Sequence, residues 1–168
     1  KVLQAAFGWD NYHLHEFYIY SSENTDINLS SNHPGYHKEG FKPIINIVCD
    51  EDAFSYEKGI PMKMETGLKL EEYVSFKIKY NYDFGDDWQH YIDNIRVIED
   101  YDKNYPICID GDGNAPPEDI GGELGYYEFL EIIADEYHPE YKNYVEWSKM
   151  KGYTDFDIDM VNRKLKYL

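Results

Sequence analysis

Between Val74 and Asp83 apolar and polar side chains alternate without a break. Val74, Phe76, Ile78, Tyr80 and Tyr82 fall on one register, and Ser75, Lys77, Lys79, Asn81 and Asp83 on the other. Successive side chains of an extended chain point to opposite faces, so this stretch reads as a half-buried strand. The turn segment Phe84-Gly85-Asp86-Asp87 and a second alternating run, Trp88 to Ile98, follow directly. The pair is expected to form an antiparallel hairpin. Gly85 is expected to supply the turn geometry, with Asp83, Asp86 and Asp87 accepting backbone amide bonds around it. Tyr12 to Tyr20 is rich in aromatic and β-branched residues and reads as another strand, with His13, His15, Phe17 and Ile19 on one face. Ile44 to Cys49 is short and apolar, consistent with a buried strand although Asn46 lies inside it. No single period runs through Asp50 to Tyr73.

Helical spacing dominates the ends. Tyr126, Phe129, Leu130, Ile133, Ala134 and Tyr137 recur at three and four residues, and Pro139 closes or restarts the helix. A second helix is expected over Tyr141 to Lys151, and a third from Asp157 or Asp159, burying Val161, Leu165 and Leu168. Val2 to Phe7 reads as the last turns of a helix that Gly8 terminates. Ser21 to Gly40 reads as a polar loop. Tyr105 to Gly125 holds five glycines and three prolines and reads as an irregular, backbone-constrained one. Strands followed by helices without βαβ alternation indicate an α+β class: a mainly antiparallel sheet packed against helices, with a C-terminal group of about three helices, as one domain over residues 1–168.

Charge narrows the function. Of 168 residues 33 are acidic and 16 basic, giving a net charge of −17. Affinity for a nucleic-acid backbone comes from Lys and Arg displacing condensed counterions, so direct nucleic-acid binding is not expected. The longest apolar stretch, Ile44 to Cys49, is far below the ~18 residues of a spanning helix, so no membrane partner is expected. Cys49 and Cys108 fit neither a zinc pair nor a disulfide scaffold and read as reduced thiols of a cytoplasmic protein.

Three segments carry a family resemblance: Ala6-Phe-Gly-Trp-Asp-Asn-Tyr-His-Leu-His-Glu-Phe17, Tyr80-Asn-Tyr-Asp-Phe-Gly-Asp-Asp-Trp-Gln-His90, and Cys108-Ile-Asp-Gly-Asp-Gly-Asn-Ala-Pro-Pro-Glu-Asp-Ile-Gly-Gly122. Together they resemble the Ri-plasmid ORF-3-like family of plasmids, insertion-sequence neighbourhoods and prokaryotic chromosomes. The likeness extends through Gly125-Tyr126, Glu146-Trp147 and Asn162-Arg163-Lys164-Leu165. It implies an antiparallel sheet with helices packed against it, and an N-terminal strand bearing a Pro-x-Ile-Trp-Arg-Arg type segment that this chain lacks; the true N-terminus is expected upstream. Members are labelled passenger or resolvase-like proteins of mobile elements. Such a label concerns genomic neighbourhood, and a family name does not establish chemistry.

Several residues are candidates for chemistry. Asn104 to Tyr141 contains ten Asp or Glu and no Lys or Arg, which is either a solvated face or a surface that steers a cation or basic partner. Asp110, Asp112 and Asn114 resemble the start of a calcium loop, but Ala115 and Gly121 occupy its sixth and twelfth positions, which rejects an EF-hand. His13 and His15 are spaced to project to one side of a strand, and His90 joins them if the strands pair. They are metal candidates or packed, hydrogen-bonded rings, with Asp86, Cys108 or Asp119 as further ligands. Pro116 to Gly122 fixes Glu118 and Asp119 ahead of a helix, either as preorganised carboxylates or as caps for its first amides.

Two functions follow. The first is a binding or adaptor module whose acidic, aromatic-lined cleft takes a basic peptide, protein or small ligand, with His13, His15, Asp83, Asp86, Trp88, His90, Glu118 and Asp119 as candidate contacts. The second is a metal-dependent hydrolase-like enzyme with His13, His15 and His90 on a divalent metal, Asp86 or Asp119 orienting water, and Glu118 as base.

Overall fold

The central strand of the sheet is β1 (His15–Tyr20), which pairs antiparallel on one side with β2 (Pro43–Val48) and on the other with β4 (Lys77–Tyr82). The short β3 (Met62–Met64) lies parallel to β2, and β5 (Trp88–Ile92) lies antiparallel to β4, giving the order β3-β2-β1-β4-β5. These elements come from a computed structural model that describes residues 1–20, 43–56 and 58–168. The loop expected over Ser21 to Gly40 lies outside the described residues. The fold is α+β, with a mixed but mostly antiparallel sheet and four helices among the described residues, three of them C-terminal: α1 (Val2–Phe7), α2 (Gly122–Ala134), α3 (Tyr141–Met150) and α4 (Ile158–Leu165). None of these helices is long and apolar enough to cross a membrane.

Two compact units make up the chain, a sheet unit over His13–Glu99 and a helical unit formed by Lys1–Tyr12 and Asp100–Leu168. In the sheet unit the alternation works as expected. Ile19, Ile47, Ile78 and Tyr73 are buried together, with Phe17, Ile45, Leu68, Phe76 and Ile92 packed around them. Burying side chains of this size contributes about 1.5–3 kcal/mol each. In the helical unit Phe129 is fully buried among Tyr126, Tyr144, Trp147 and Tyr153, with ring centroids 4.9–6.4 Å apart.

The hairpin departs from expectation in three details. β4 begins at Lys77 rather than Val74, because residues 73–76 form a turn in which the Phe76 N–H donates to the Tyr73 carbonyl at 3.0 Å. β5 stops at Ile92 rather than Ile98, because Ile78↔Ile92 is its last pair. Beyond it Asp93 meets Lys77 at 3.5 Å and the Asn94 amide donates to the Phe76 carbonyl at 3.3 Å, after which β4 has no more edge to offer. Gly85 is also not the left-handed residue of the turn: Asp83 (φ 53) and Asp87 (φ 55) are, a conformation that Asp tolerates better than most residues. The Asp87 N–H donates to the Asp83 carbonyl at 2.6 Å and closes the turn.

Glycine matters most in the helical unit. Gly8 ends α1 at φ 76, as expected. A Cβ on Gly125 would sit 2.0 Å from the Ile120 carbonyl oxygen, so only glycine lets the start of α2 pack against the loop before it. α2 begins at Gly122, four residues before the apolar stripe that announced it. Asp157 caps α4 by accepting from the Asp159 and Met160 amides.

Candidate functional site

The register of the sheet unit puts His15 opposite Tyr82, Phe17 opposite Tyr80, and Tyr80 opposite His90. All therefore share one face, as the alternation required. β1 begins at His15 and not at Tyr12, so His13 precedes the strand. The buried Tyr80 ring stands between the two imidazoles, 5.6 Å from His15 and 5.9 Å from His90. His15 Nε2 lies 3.0 Å from Glu65 Oε2, and His13 Nε2 lies 3.5 Å from Asp83 Oδ2. Burial pushes the His90 imidazole down to about 4, so that ring is neutral at pH 7. Among the described residues, His13, His15 and His90 are not brought within 4.8 Å of one another as a set of ligands. Asp83 holds the turn: its Oδ1 accepts the Gly85 N–H at 3.0 Å and the Asp86 N–H at 3.4 Å. Trp88 lies opposite Tyr82 at the start of β5.

The opposite face of the same strands carries polar residues that sequence reading overlooked. Glu16 is only 5% exposed, and its carboxylate accepts from Asn46 Nδ2 at 3.0 Å and from Lys58 Nζ at 3.0 and 3.2 Å. Lys58 also donates to the Tyr18 hydroxyl at 2.9 Å. A carboxylate removed from water needs an opposite charge and filled lone pairs, and Glu16 has both. Burial raises the Tyr18 hydroxyl and lowers the Lys79 ammonium, whose Nζ lies 5.2 Å from the Tyr18 ring centre. A signal existed: Asn46 interrupts the longest apolar run.

The helical unit contains an open cleft of about 340 Å³. One wall comes from the segment after α1, where Trp9 stacks on Phe7 at 4.7 Å and its indole N–H donates to the Pro116 carbonyl at 2.9 Å. The other walls come from the Pro116–Asp119 segment and from residues 150–157, which bring Tyr153, Asp155 and Phe156 to the lining. Glu118 and Asp119, both singled out in the sequence, reach this cleft. Glu118 Oε1 accepts the Asp10 N–H at 2.9 Å. Asp119 (φ 63) pairs with Lys151 at 2.6 Å. The helix N-cap itself is Gly121, so these carboxylates have partners elsewhere in the unit as well as a place near the helix start. Five carboxylates, of Asp10, Glu118, Asp119, Asp155 and Asp157, line the cleft against the ammonium groups of Lys151 and Lys164.

The loop that resembled a calcium site is built from local and tertiary bonds. Asp110 and Asp112 each accept the next residue's N–H at 2.9 Å. Asn114 ties the loop to the cleft's far wall, donating to Asp155 at 3.1 Å and accepting the Phe156 N–H at 2.9 Å. The Cys108 backbone forms a two-way bond with the Asn162 side chain, at 2.7 and 3.0 Å.

Comparison with known proteins places this geometry among relatives. The family described as plasmid pRiA4b ORF-3-like protein matches residues 1–165. The uncharacterized protein y4hQ of Sinorhizobium fredii is 33% identical over 162 residues, 96% of this chain and 70% of that protein. A crystal structure of a protein of unknown function, MM3350 from Methanosarcina mazei Go1, superposes with a TM-score of 0.65 at 30% identity, covering 94% of this chain and 78% of that one.

Proposed function

The chain belongs to the plasmid pRiA4b ORF-3-like protein family, whose similar members are described as uncharacterized or of unknown function, and from its geometry we propose that it is a binding or adaptor module for a cationic ligand, foremost a basic peptide segment. One observation carries this reading: the cleft of the helical unit combines an excess of carboxylates with the exposed rings of Tyr12 and Phe156 in a concave surface. Carboxylates attract and orient a cation, and aromatic faces add a further ~0.5–2 kcal/mol when an ammonium or guanidinium lies over them. Neither contribution needs a reacting group. The net charge of −17 supports the same partner class by steering basic segments toward the protein.

The metal-dependent hydrolase reading has weaker support. His15 already engages Glu65 through Nε2, and Tyr80 stands between His15 and His90.

Calorimetric titration with an octalysine peptide at low salt tests the proposal. Wild type is expected to bind, and Asp10→Asn and Asp119→Asn to weaken binding by roughly threefold to tenfold each. The exposed control Glu71→Gln, outside the cleft, is expected to change nothing. Equal weakening by all three substitutions would mean that the peptide senses only overall charge, and the cleft would lose its role.

A further inference from the structure

The cleft already holds a cation of its own. Lys151 follows α3 directly, and its Nζ lies 2.6 Å from Asp119 Oδ2 and 5.8 Å from the centre of the Trp147 ring. An ammonium bonded to a carboxylate beside an indole ring is the arrangement by which proteins hold a lysine side chain or an alkylammonium ligand. Asp119 also stands at a junction, since it lines both the 340 Å³ cleft and a neighbouring hollow of about 360 Å³ formed with Asn143, Tyr144 and Trp147. We propose that Lys151 is a built-in competitor, whose ammonium occupies the position that a ligand's primary ammonium takes on Asp119 and Trp147. The inference rests on the reading of the cleft as a cation-binding site and adds the subsite and the group it selects.

Three physical points support it. The pair is weak enough to exchange: the Lys151 side chain is 33% exposed and that of Asp119 53%, and solvated ion pairs contribute little. The competitor is mobile enough to leave, because lysine carries a point charge on a flexible four-carbon stem that finds water within reach. The acceptor stays behind in place, because Asp119 lies between the fixed backbone of Pro116-Pro117 and the close approach of Gly125 to Ile120. Such competition sets a threshold. A lone alkylamine gains no more from Asp119 than Lys151 does, whereas an ammonium attached to a peptide gains further contacts along the exposed rings of Tyr12 and Phe156. The ligand class selected is therefore a lysine-bearing peptide rather than a simple amine.

The test is octalysine titration of wild type, Lys151→Gln and Lys151→Arg, with Trp fluorescence as a second readout and thermal melting to establish that each variant is folded. Removing the competitor is expected to tighten binding about threefold to fivefold. Arginine, which grips a carboxylate with two parallel bonds, is expected to compete harder and to bind the peptide more weakly than wild type. In Asp119→Asn the gain from Lys151→Gln is expected to vanish, because both act on one acceptor. Wild-type binding that depends on Asp119 but is unchanged or weakened by Lys151→Gln would overturn the competitor while leaving the cleft reading intact. Absence of binding in wild type and Lys151→Gln alike would overturn the cleft reading and this inference with it.

Discussion

The two units differ in the charged groups they tie down most firmly. In the sheet unit three pairings are each anchored by a side chain largely withdrawn from water: Glu16 with Lys58 and Asn46, Asp83 with His13 and two backbone amides, and His15 with Glu65. In the helical unit the carboxylates of Asp119 and Asp155 lie at the surface, around a concavity, and Asp119 is paired with a solvated lysine. Buried partners are expensive to separate, whereas solvated ones exchange readily. The contrast teaches that burial separates charges locked into the fold from charges whose pairing is open to water, even where the sequence presents both simply as Asp, Glu and Lys.

The comparison breaks most visibly at Glu16. Glu16→Ala removes the carboxylate that Lys58 and Asn46 share, leaving them the Tyr18 hydroxyl and the Phe17 carbonyl, and is expected to lower stability by about 2 kcal/mol in urea denaturation. A loss below about 1 kcal/mol would mean that the sheet unit's charges are as exchangeable as those of the cleft. Phe129→Ala provides the apolar counterpart in the helical unit, with an expected loss of about 3–5 kcal/mol from the fully buried ring.

His90 sharpens the same contrast through pH. Burial holds its folded value at about 4, below the ordinary 6.5, so the unfolded chain binds the proton more tightly. Stability therefore rises with pH across the interval between those two values, and its share is complete above about pH 6.5 and lost as pH falls toward 4. The loss reaches up to about 3 kcal/mol at pH 4. His90→Phe is expected to flatten that part of the stability profile relative to wild type, and an unchanged slope would place the titration elsewhere. The smallest effect belongs to the cleft: Asp119→Asn is expected to change stability by less than about 1 kcal/mol.

Legibility depended on how local the cause of each feature is. The hairpin could be read because a period of two, repeated over ten residues, fits an extended chain and does not fit a helix. Its end at Ile92 could not, because that depends on where β4 begins. β3 is three residues long and shows no pattern of its own; it is fixed by the Asn46 N–H on the Pro61 carbonyl and the Glu65 N–H on the Val48 carbonyl. Glu118 and Asp119 were recognisable from the rigid Pro-Pro and Gly-Gly that frame them. Their partners were not: Asp10 lies 108 residues from Glu118, and Lys151 lies 32 from Asp119. Glu16 gave only an indirect sign through Asn46, since a buried carboxylate looks like an exposed one until its partners arrive from other strands.

The helical unit's cleft, rather than overall charge alone, is proposed to take a cationic ligand. Octalysine titration of wild type, Asp119→Asn and Glu71→Gln at matched ionic strength tests that assignment most directly. Asp119→Asn is expected to weaken binding roughly threefold to tenfold while Glu71→Gln leaves it unchanged. Equal affinities for Asp119→Asn and Glu71→Gln, or no binding to wild type, would contradict it.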